Sequence, residues 1–248
     1  TECYKRTSGF VKPITRSFLQ AKILSKRLNQ NNPQILDIGC FDGRLLMELD
    51  QLISKSDLWG FDINPHLSNV FPDKKNFHFF STSLNEDVNG QFDLIILSHS
   101  ILYITDLSEL MIFIKKSLKD DGSLFLQIPD IQTNPYYSLM GDQVFIFTKT
   151  SLINILGKFG FKADVIKNDY FPRELLIEAK YTESVDCVNC ETDNIFEQNI
   201  EVLKQVNKKL NNLNDEKYTV LGTTINAAFI DEITGDQIEF FLDEKKSN

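Results

Sequence analysis

The chain has 248 residues, of which 42% are hydrophobic and 25% are charged, as in an ordinary globular protein. This composition excludes the fibrous and the intrinsically disordered classes. The formal net charge of −9 disfavours a nucleic-acid-binding protein, because contacts to phosphates need a basic surface. No apolar run approaches the roughly 18 residues that a membrane-spanning helix needs, so we expect no membrane partner.

The four cysteines predict free thiols in a reducing, cytoplasmic setting, because four cysteines in a chain this long do not form a disulfide framework. No secretory signal peptide is recognisable. Cys187 and Cys190 form a C-x-x-C pair. A structural zinc site needs four ligands, however, and neither a second pair nor a nearby histidine supplies them. We therefore expect no metal site and interpret the pair as a redox couple or as inert thiols.

Helical periodicity, in which apolar residues recur every three or four positions, marks six segments of the chain. The first lies in the N-terminal segment 1–33, where Phe18, Leu24 and Leu28 share a face and Pro33 stops the helix. The other predicted helices cover residues 44–54, 107–118, 151–159, 195–213 and about 227–233.

Short apolar runs between these helices predict strands, at residues 35–38, 58–61, 77–80, 92–97, 123–128, 161–166, 175–179, 218–221 and 238–242. The run 92–97 is apolar except for Asp93, as expected for a strand covered on both faces. Strands that alternate with helices predict parallel βαβ units and a doubly wound α/β sheet. Residues 34–180 would form this core. Residues 181–248 would form an appendage of one helix and a βαβ unit. The βαβ unit is too small to be a stable domain by itself, so the appendage could be a fragment of a second domain.

Residues 34–65 have the pattern of a binding site for an adenosine-type cofactor. The first strand carries Asp37 near its end, a loop with Gly39 and Gly43 leads into a helix, and the second strand ends in Asp62. Glycines in such a loop let the backbone approach a ligand closely. An acid at the end of the second strand can accept hydrogen bonds from both ribose hydroxyls.

Two classes of ligand share that geometry. A dinucleotide places its pyrophosphate on a G-x-G-x-x-G loop, whereas here Phe41 and Asp42 stand between two glycines spaced G-x-x-x-G. A bulky phenylalanine and an anionic aspartate suit a pyrophosphate poorly. Asp37 and Asp42 instead suit a ligand that carries an ammonium or a sulfonium, such as S-adenosylmethionine (SAM). An NAD(P)-dependent oxidoreductase therefore stays open as the weaker alternative.

Five elements in order resemble the motifs of class I SAM-dependent methyltransferases. They occupy residues 37–43, 60–63, 92–99, 118–124 and 147–161. The resemblance covers roughly residues 34–180 and implies a Rossmann-like methyltransferase fold: a mostly parallel seven-stranded sheet with an antiparallel final strand. It also implies SAM as the cofactor. The sequence of the first motif, D-I-G-C-x-D-G-x-L-L, most resembles that of a subgroup related to sugar C-methyltransferases.

The resemblance assigns most cofactor contacts to these motifs. Asp62 would bind the ribose, Gly39 and Gly43 would admit the cofactor, and Asp37 would orient the loop or the methionine ammonium. The other predicted cofactor contacts are Cys40, Phe41, Ile63, Ser83, Leu84 and Ser98, with Ile63 and Leu84 on either side of the adenine. Phe41 departs from the family pattern, since it replaces the middle glycine of the loop.

The acceptor side is predicted from position. His99 follows the fourth strand, where ligands of open parallel sheets bind, and it either removes a proton from the acceptor or only lines the pocket. Tyr103 is a second candidate for the catalytic role. The long 129–149 insertion, with Tyr136, Tyr137 and Phe145, is predicted to be a substrate-binding lid or a hydrophobic patch packed on the sheet.

The sequence therefore predicts a SAM-dependent methyltransferase that acts on a small molecule, such as a nucleotide sugar or a related metabolite. A catalytically inactive SAM-fold scaffold is the main alternative. Neither nucleic acid nor membrane is expected as a partner. The amphipathic 195–213 helix either forms a homodimer interface or packs on the sheet of its own chain.

Overall fold

The computed structural model describes residues 14–28, 31–81, 84, 90–182, 193–213 and 217–242. In these ranges the helices are α1 (Arg16–Ser25), α2 (Arg44–Leu52), α3 (Leu107–Ser117), α4 (Lys149–Lys158), α5 (Ile195–Leu210) and α6 (Ile225–Thr234). The strands are β1 (Gln34–Ile38), β2 (Asp57–Phe61), β3 (Phe77–Phe80), β4 (Phe92–Ser98), β5 (Leu118–Pro129), β6 (Phe161–Val165), β7 (Glu174–Tyr181), β8 (Tyr218–Leu221) and β9 (Ile238–Leu242). None of the helices in the described ranges is long and apolar enough to cross a membrane.

Side-chain caps explain where several helices begin. Thr15 accepts a hydrogen bond from the backbone N–H of Phe18 at α1, and Asp106 accepts one from Glu109 at α3. At α4, Thr148 and Ser151 cap each other's backbone in a reciprocal capping box. Each of these oxygens satisfies an N–H group that has no partner within its helix, which stabilises the helix start by about 1 kcal/mol.

The first seven strands form one sheet in the order β3-β2-β1-β4-β5-β7-β6. Strands β1 to β5 are parallel, and β7 runs antiparallel to both β5 and β6. The predicted seven-stranded, mostly parallel sheet with an antiparallel final strand is thus confirmed. The strand order reverses between β1 and β4, and this switch point is where open α/β sheets bind ligands. Because β7 is antiparallel, it begins at the edge where the parallel strands end.

Two apolar clusters cover the two faces of the sheet. One packs α3 and α4 against β4 and β5 through residues such as Ile114, Leu152 and Leu97. The other packs α1 and α2 against the opposite face through Leu24 and Leu49. Strand β4 lies between both clusters, which is why its sequence is almost entirely apolar.

The C-terminal appendage packs on the insertion between β5 and α4. The Asn199 side chain of α5 is buried and donates to Ile131 O and Ser138 Oγ, both at 3.0 Å. Tyr136 of the insertion meets Phe229 of α6 edge to face, with ring centroids 5.5 Å apart. Strands β8 and β9 pair in parallel, as expected for a βαβ unit. The α5 helix therefore covers the insertion with one face, and the homodimer interface stays a prediction.

Candidate cofactor and acceptor site

The loop after β1 turns tightly at two glycines. Gly39 and Gly43 have φ angles of +84° and +70°, in the left-handed region that favours glycine. A methyl group on Gly39 would lie 2.5 Å from Ser100 Cβ, so the loop passes directly against the segment after β4. The backbone N–H of Gly39 donates to Phe61 O of β2 at 2.7 Å, which fixes the loop to the neighbouring strand.

Phe41, which replaces the middle glycine of the family pattern, has a left-handed backbone conformation. Its φ is +49°, a conformation that costs a non-glycine residue roughly 1–2 kcal/mol. The Phe41 side chain is 65% exposed, and its backbone N–H donates to Asp62 Oδ2 at 3.1 Å. The departure from the family pattern therefore places an exposed aromatic side chain against both cavities, on a residue with the positive φ that glycine favours.

Asp62 at the end of β2 closes the loop from the other side. Its two carboxylate oxygens accept hydrogen bonds from the backbone N–H groups of Phe41 and Asn64, at 3.1 and 3.0 Å. Each carboxylate oxygen can accept a second hydrogen bond, so the group retains capacity for two ligand hydroxyls.

Two cavities flank the loop and share Gly39, Phe41 and Ser98 as a common wall. The first, which we call the apolar cavity, has a volume of about 490 Å³ and is lined by Ile38, Phe61, Asp62, Ile63, Leu84, His99 and Tyr103, among others. The second, which we call the polar cavity, has a volume of about 330 Å³ and is lined by Arg16, Gln20, Asp37, Cys40, Asp42 and Arg44, among others. The two cavities are therefore adjacent, one on each side of the loop.

Asp37 is the most perturbed acid of the polar cavity. Its side chain is 3% exposed, and its Oδ1 has no hydrogen-bond partner among the described residues. Burial, and secondarily the charge of Asp62, raise the pKa of Asp37 from 3.8 to about 7. A buried carboxylate oxygen without a donor is unfavourable, and a cationic ligand in the polar cavity would relieve it.

A polar network lies beside His99 at the edge of the sheet. Glu174, the first residue of β7, accepts two hydrogen bonds of 2.6 Å from Arg16 of α1 and a further one from Gln127 of β5. His99 Nε2 is in short contact with Arg16 Nη2 and lies 3.4 Å from Glu174 Oε2. Burial tends to raise the pKa of Glu174, but the polar contacts with His99, Arg16 and Gln127 and the Arg16 charge lower it to about 2.

Most of the predicted site residues lie together in the structure. Those that line one cavity or both are Asp37, Gly39, Cys40, Phe41, Asp62, Ile63, Leu84, Ser98, His99 and Tyr103. Gly43 lies behind the loop, where a methyl group would be 2.7 Å from the Phe71 ring. Cys40 is buried and its pKa is raised by that burial and by the nearby acids, which makes the thiol unreactive. Ser83, Cys187 and Cys190 lie outside the described residues.

The three aromatic residues predicted to bind substrate have other neighbours. Tyr136 packs against Phe229 of α6, and Phe145 stacks on Phe147 with ring centroids 5.6 Å apart. In the part of the chain that the structure describes, neither of them nor Tyr137 lines either cavity. Their role in acceptor binding stays a prediction that the cavities do not support.

Sequence reasoning missed the residues that other elements bring to the site. Arg16 and Gln20 come from α1, and the Gln20 amide donates to Ser98 Oγ at 2.9 Å. Glu174 comes from the start of β7. The position of Glu174 could have been predicted from the sequence, because an antiparallel last strand must begin at the edge where the parallel strands end. Nothing in the sequence indicates that α1 reaches this edge.

Gly39→Ala is expected to lower the free energy of unfolding by about 2–3 kcal/mol, because alanine disfavours the positive φ and its methyl group would overlap Ser100. Urea unfolding measures this loss. Gly141→Ala is the matched control, since nothing lies within 4 Å of its added methyl group, and we expect a change within about 0.5 kcal/mol. Equal effects at the two positions would contradict the close approach of the loop to the segment after β4.

Comparison with known proteins places this fold and site in a family. A family model described as “Methyltransferase domain” matches residues 14–165, more than half of the chain. None of the curated protein sequences matches the chain. Among solved structures, a SAM-dependent methyltransferase from Aquifex aeolicus is 15% identical with a TM-score of 0.54, and the match covers 66% of this chain and 93% of that one.

Two further solved structures have the same fold. A protein from Methanococcus maripaludis is 16% identical with a TM-score of 0.55 over 68% of this chain and 86% of that one. The YcgJ protein of Bacillus subtilis is 14% identical with a TM-score of 0.53 over 79% of this chain and 85% of that one. At these identities the structures show the shared fold alone. The family match shows that the chain belongs to the methyltransferase-domain family, and the solved structures show that it has the class I fold of SAM-dependent methyltransferases.

Proposed function

We propose that the chain transfers a methyl group from SAM to a small-molecule acceptor bound in the apolar cavity, beside His99 and Tyr103. The observation that carries this proposal is the wall shared by the two cavities. The polar cavity holds an unpartnered carboxylate oxygen that suits the methionine ammonium, and Asp62 lines the apolar cavity. A molecule with a cationic end and a ribose fits that arrangement.

The residues present fit SAM in three places. Asp37 Oδ1 would accept from the ammonium, Asp62 would accept from the ribose hydroxyls, and Gly39 would let the ligand lie against the backbone. When bound, SAM supplies an electrophilic methyl group on a sulfonium. The chain's own contribution is to hold the acceptor in line with that group, and such alignment lowers a barrier by roughly 7–11 kcal/mol in good cases.

The cofactor would fill part of the apolar cavity, since Asp62, Ile63 and Leu84 are the predicted contacts of its ribose and adenine. The part lined by His99 and Tyr103 remains for a small acceptor. Our first candidate for the methyl acceptor is a nucleotide sugar or a related metabolite, because the sequence of the first motif resembles that of the sugar C-methyltransferase-like subgroup. The acidic net charge of −9 disfavours a nucleic-acid acceptor.

Calorimetric titration with SAM, S-adenosylhomocysteine (SAH) and NAD tests the cofactor part of the proposal. We expect SAM and SAH to bind and NAD to give no heat. If NAD binds and SAH does not, an oxidoreductase would be favoured. If none of the three ligands binds, the catalytically inactive scaffold would be the remaining alternative.

A further inference from the structure

We propose that Arg16 and Glu174 are positioning residues that fix the proton of His99 on Nδ1, so that this ring offers an N–H donor to the molecule in the apolar cavity. The inference rests on the proposed function only for the identity of that molecule. The arrangement itself follows from four side chains that α1, β5, β7 and the end of β4 bring together.

The chemistry of arginine decides which way the hydrogen bond to His99 runs. A guanidinium carries only donors and stays protonated in proteins. Arg16 Nη2 has two hydrogens: one points to Glu174 Oε2 at 2.6 Å, and the other is free for His99 Nε2, with which Nη2 is in short contact. His99 Nε2 must therefore be the acceptor. In a neutral imidazole, the proton then lies on Nδ1.

The opposite assignment leaves donors facing each other. If His99 carried its proton on Nε2, that N–H would meet the Arg16 N–H at hydrogen-bond distance. Glu174 Oε2 could accept the proton from Nε2, but it lies farther away, at 3.4 Å, and already accepts from Arg16 and Gln127. With the proton on Nδ1, the contacts of Arg16 with His99 and Glu174 and of Gln127 with Glu174 each pair a donor with an acceptor. The longer contact, from His99 Nε2 to Glu174 Oε2 at 3.4 Å, is then no hydrogen bond.

Glu174 holds Arg16 in this position. The bidentate contact uses both terminal guanidinium nitrogens, at 2.6 Å each, and the Glu174 side chain is only 13% exposed. The Arg16 guanidinium also lies over the Phe171 ring, 5.4 Å from its centroid. A two-point contact in a partly buried setting fixes the orientation of the guanidinium, and with it the hydrogen that reaches His99.

The fixed proton changes the role of His99. With Nε2 taken by Arg16, Nδ1 is the ring nitrogen that remains for a ligand of the apolar cavity, and it carries a hydrogen. His99 then stabilises an acceptor oxygen by donating to it and does not remove a proton. The acceptor that suits this site presents a carboxylate, enolate or carbonyl oxygen to His99, and its nucleophilic atom needs no base from this residue.

Nitrogen NMR of the full chain, with ¹⁵N-labelled histidine at pH 8, tests the inference. The chain has three histidines, so the His99 signals are those that disappear in His99→Gln. We expect a protonated Nδ1 and an unprotonated Nε2. In Arg16→Ala we expect the reverse pattern, because Nε2–H can then donate to Glu174. A protonated Nε2 in the unmodified chain, or an unchanged pattern in Arg16→Ala, would overturn the proposal.

Arg27→Ala is the matched control, since it removes another arginine–glutamate contact, 3.8 Å from Arg27 Nη1 to Glu178 Oε2 of β7. It should leave the His99 signals unchanged, and a reversal there would overturn the assignment to Arg16. The measurement is made without cofactor. A failure to bind SAH would therefore count against the proposed function and leave the tautomer result readable. Should Arg16→Ala not fold, the pattern of the unmodified chain decides alone.

Discussion

Asp37→Asn is expected to stabilise the cofactor-free protein at pH 8 and to weaken its binding of SAH. The Asp37 carboxyl is buried, one of its oxygens has no partner among the described residues, and its pKa is raised from 3.8 to about 7. At pH 8 the folded protein must carry this charge in an unfavourable place. Asparagine removes the charge at nearly the same volume. The charged Asp37 thus lowers the stability of the cofactor-free protein, and a bound cationic cofactor would offset this loss.

The pH dependence follows from the direction of the pKa shift. Because the folded pKa lies above the unfolded one, the stability associated with protonated Asp37 is fully present below pH 3.8 and is lost as the pH rises through about 7. Each pH unit in that window costs about 1.4 kcal/mol, so the full loss is about 4 kcal/mol. We expect Asp37→Asn to gain about 3 kcal/mol relative to the unmodified chain between pH 5 and pH 8. Urea unfolding at the two pH values measures this difference.

Asp93→Asn is the control for a buried aspartate whose oxygen has partners. Asp93 Oδ2 accepts from the Gln34 backbone N–H and from the Lys119 ammonium, both at 2.7 Å. Its replacement should destabilise the protein at pH 8, as expected when a buried ion pair loses one charge. Two results would contradict the interpretation of Asp37 as an unpaired acid that binds the cationic end of the cofactor. One is a loss of stability in Asp37→Asn equal to that in Asp93→Asn, and the other is an unchanged affinity of Asp37→Asn for SAH.

The sheet and the loop were predictable because local patterns determine them. A strand covered on both faces must be apolar throughout, and β4 shows that pattern except at Asp93 near its start, whose charge is paired with Lys119. The loop was readable because Gly39 and Gly43 occupy conformations that few other residues adopt. The spacing from Gly43 to Asp62 then follows from the length of one helix and one strand.

The acceptor side was not predictable to the same degree, because distant parts of the chain build it. Arg16 and Glu174 are separated by 158 positions and meet only because α1 and β7 both reach the ligand edge of the sheet. Aromatic composition suggested that Tyr136 and Phe145 bind substrate. Whether an aromatic faces a ligand or a neighbouring helix depends on what covers the insertion, and here α5 and α6 cover it.

Asp62→Ala is expected to weaken SAH binding by at least about 100-fold. Two hydrogen bonds from ribose hydroxyls to a carboxylate contribute about 1.5–3 kcal/mol each, and both are lost with the side chain. The backbone N–H groups of Phe41 and Asn64 also lose their acceptor, so the wall between the two cavities loosens in the same variant. Both effects lower the affinity for SAH. Calorimetry measures that affinity, and thermal unfolding shows whether the variant remains folded.

Asp57→Ala separates the ribose contact from a general effect on β2. Asp57 begins the strand that Asp62 follows, and it accepts from Trp59 Nε1 at 3.1 Å and contacts His78 Nε2 at 2.7 Å, away from both cavities. It should lower stability and leave the affinity for SAH within about twofold, because it touches no cavity wall. Equal losses of affinity in the two variants would mean that β2 supports the site as a whole. Unchanged affinity in Asp62→Ala would remove this residue from the cofactor site.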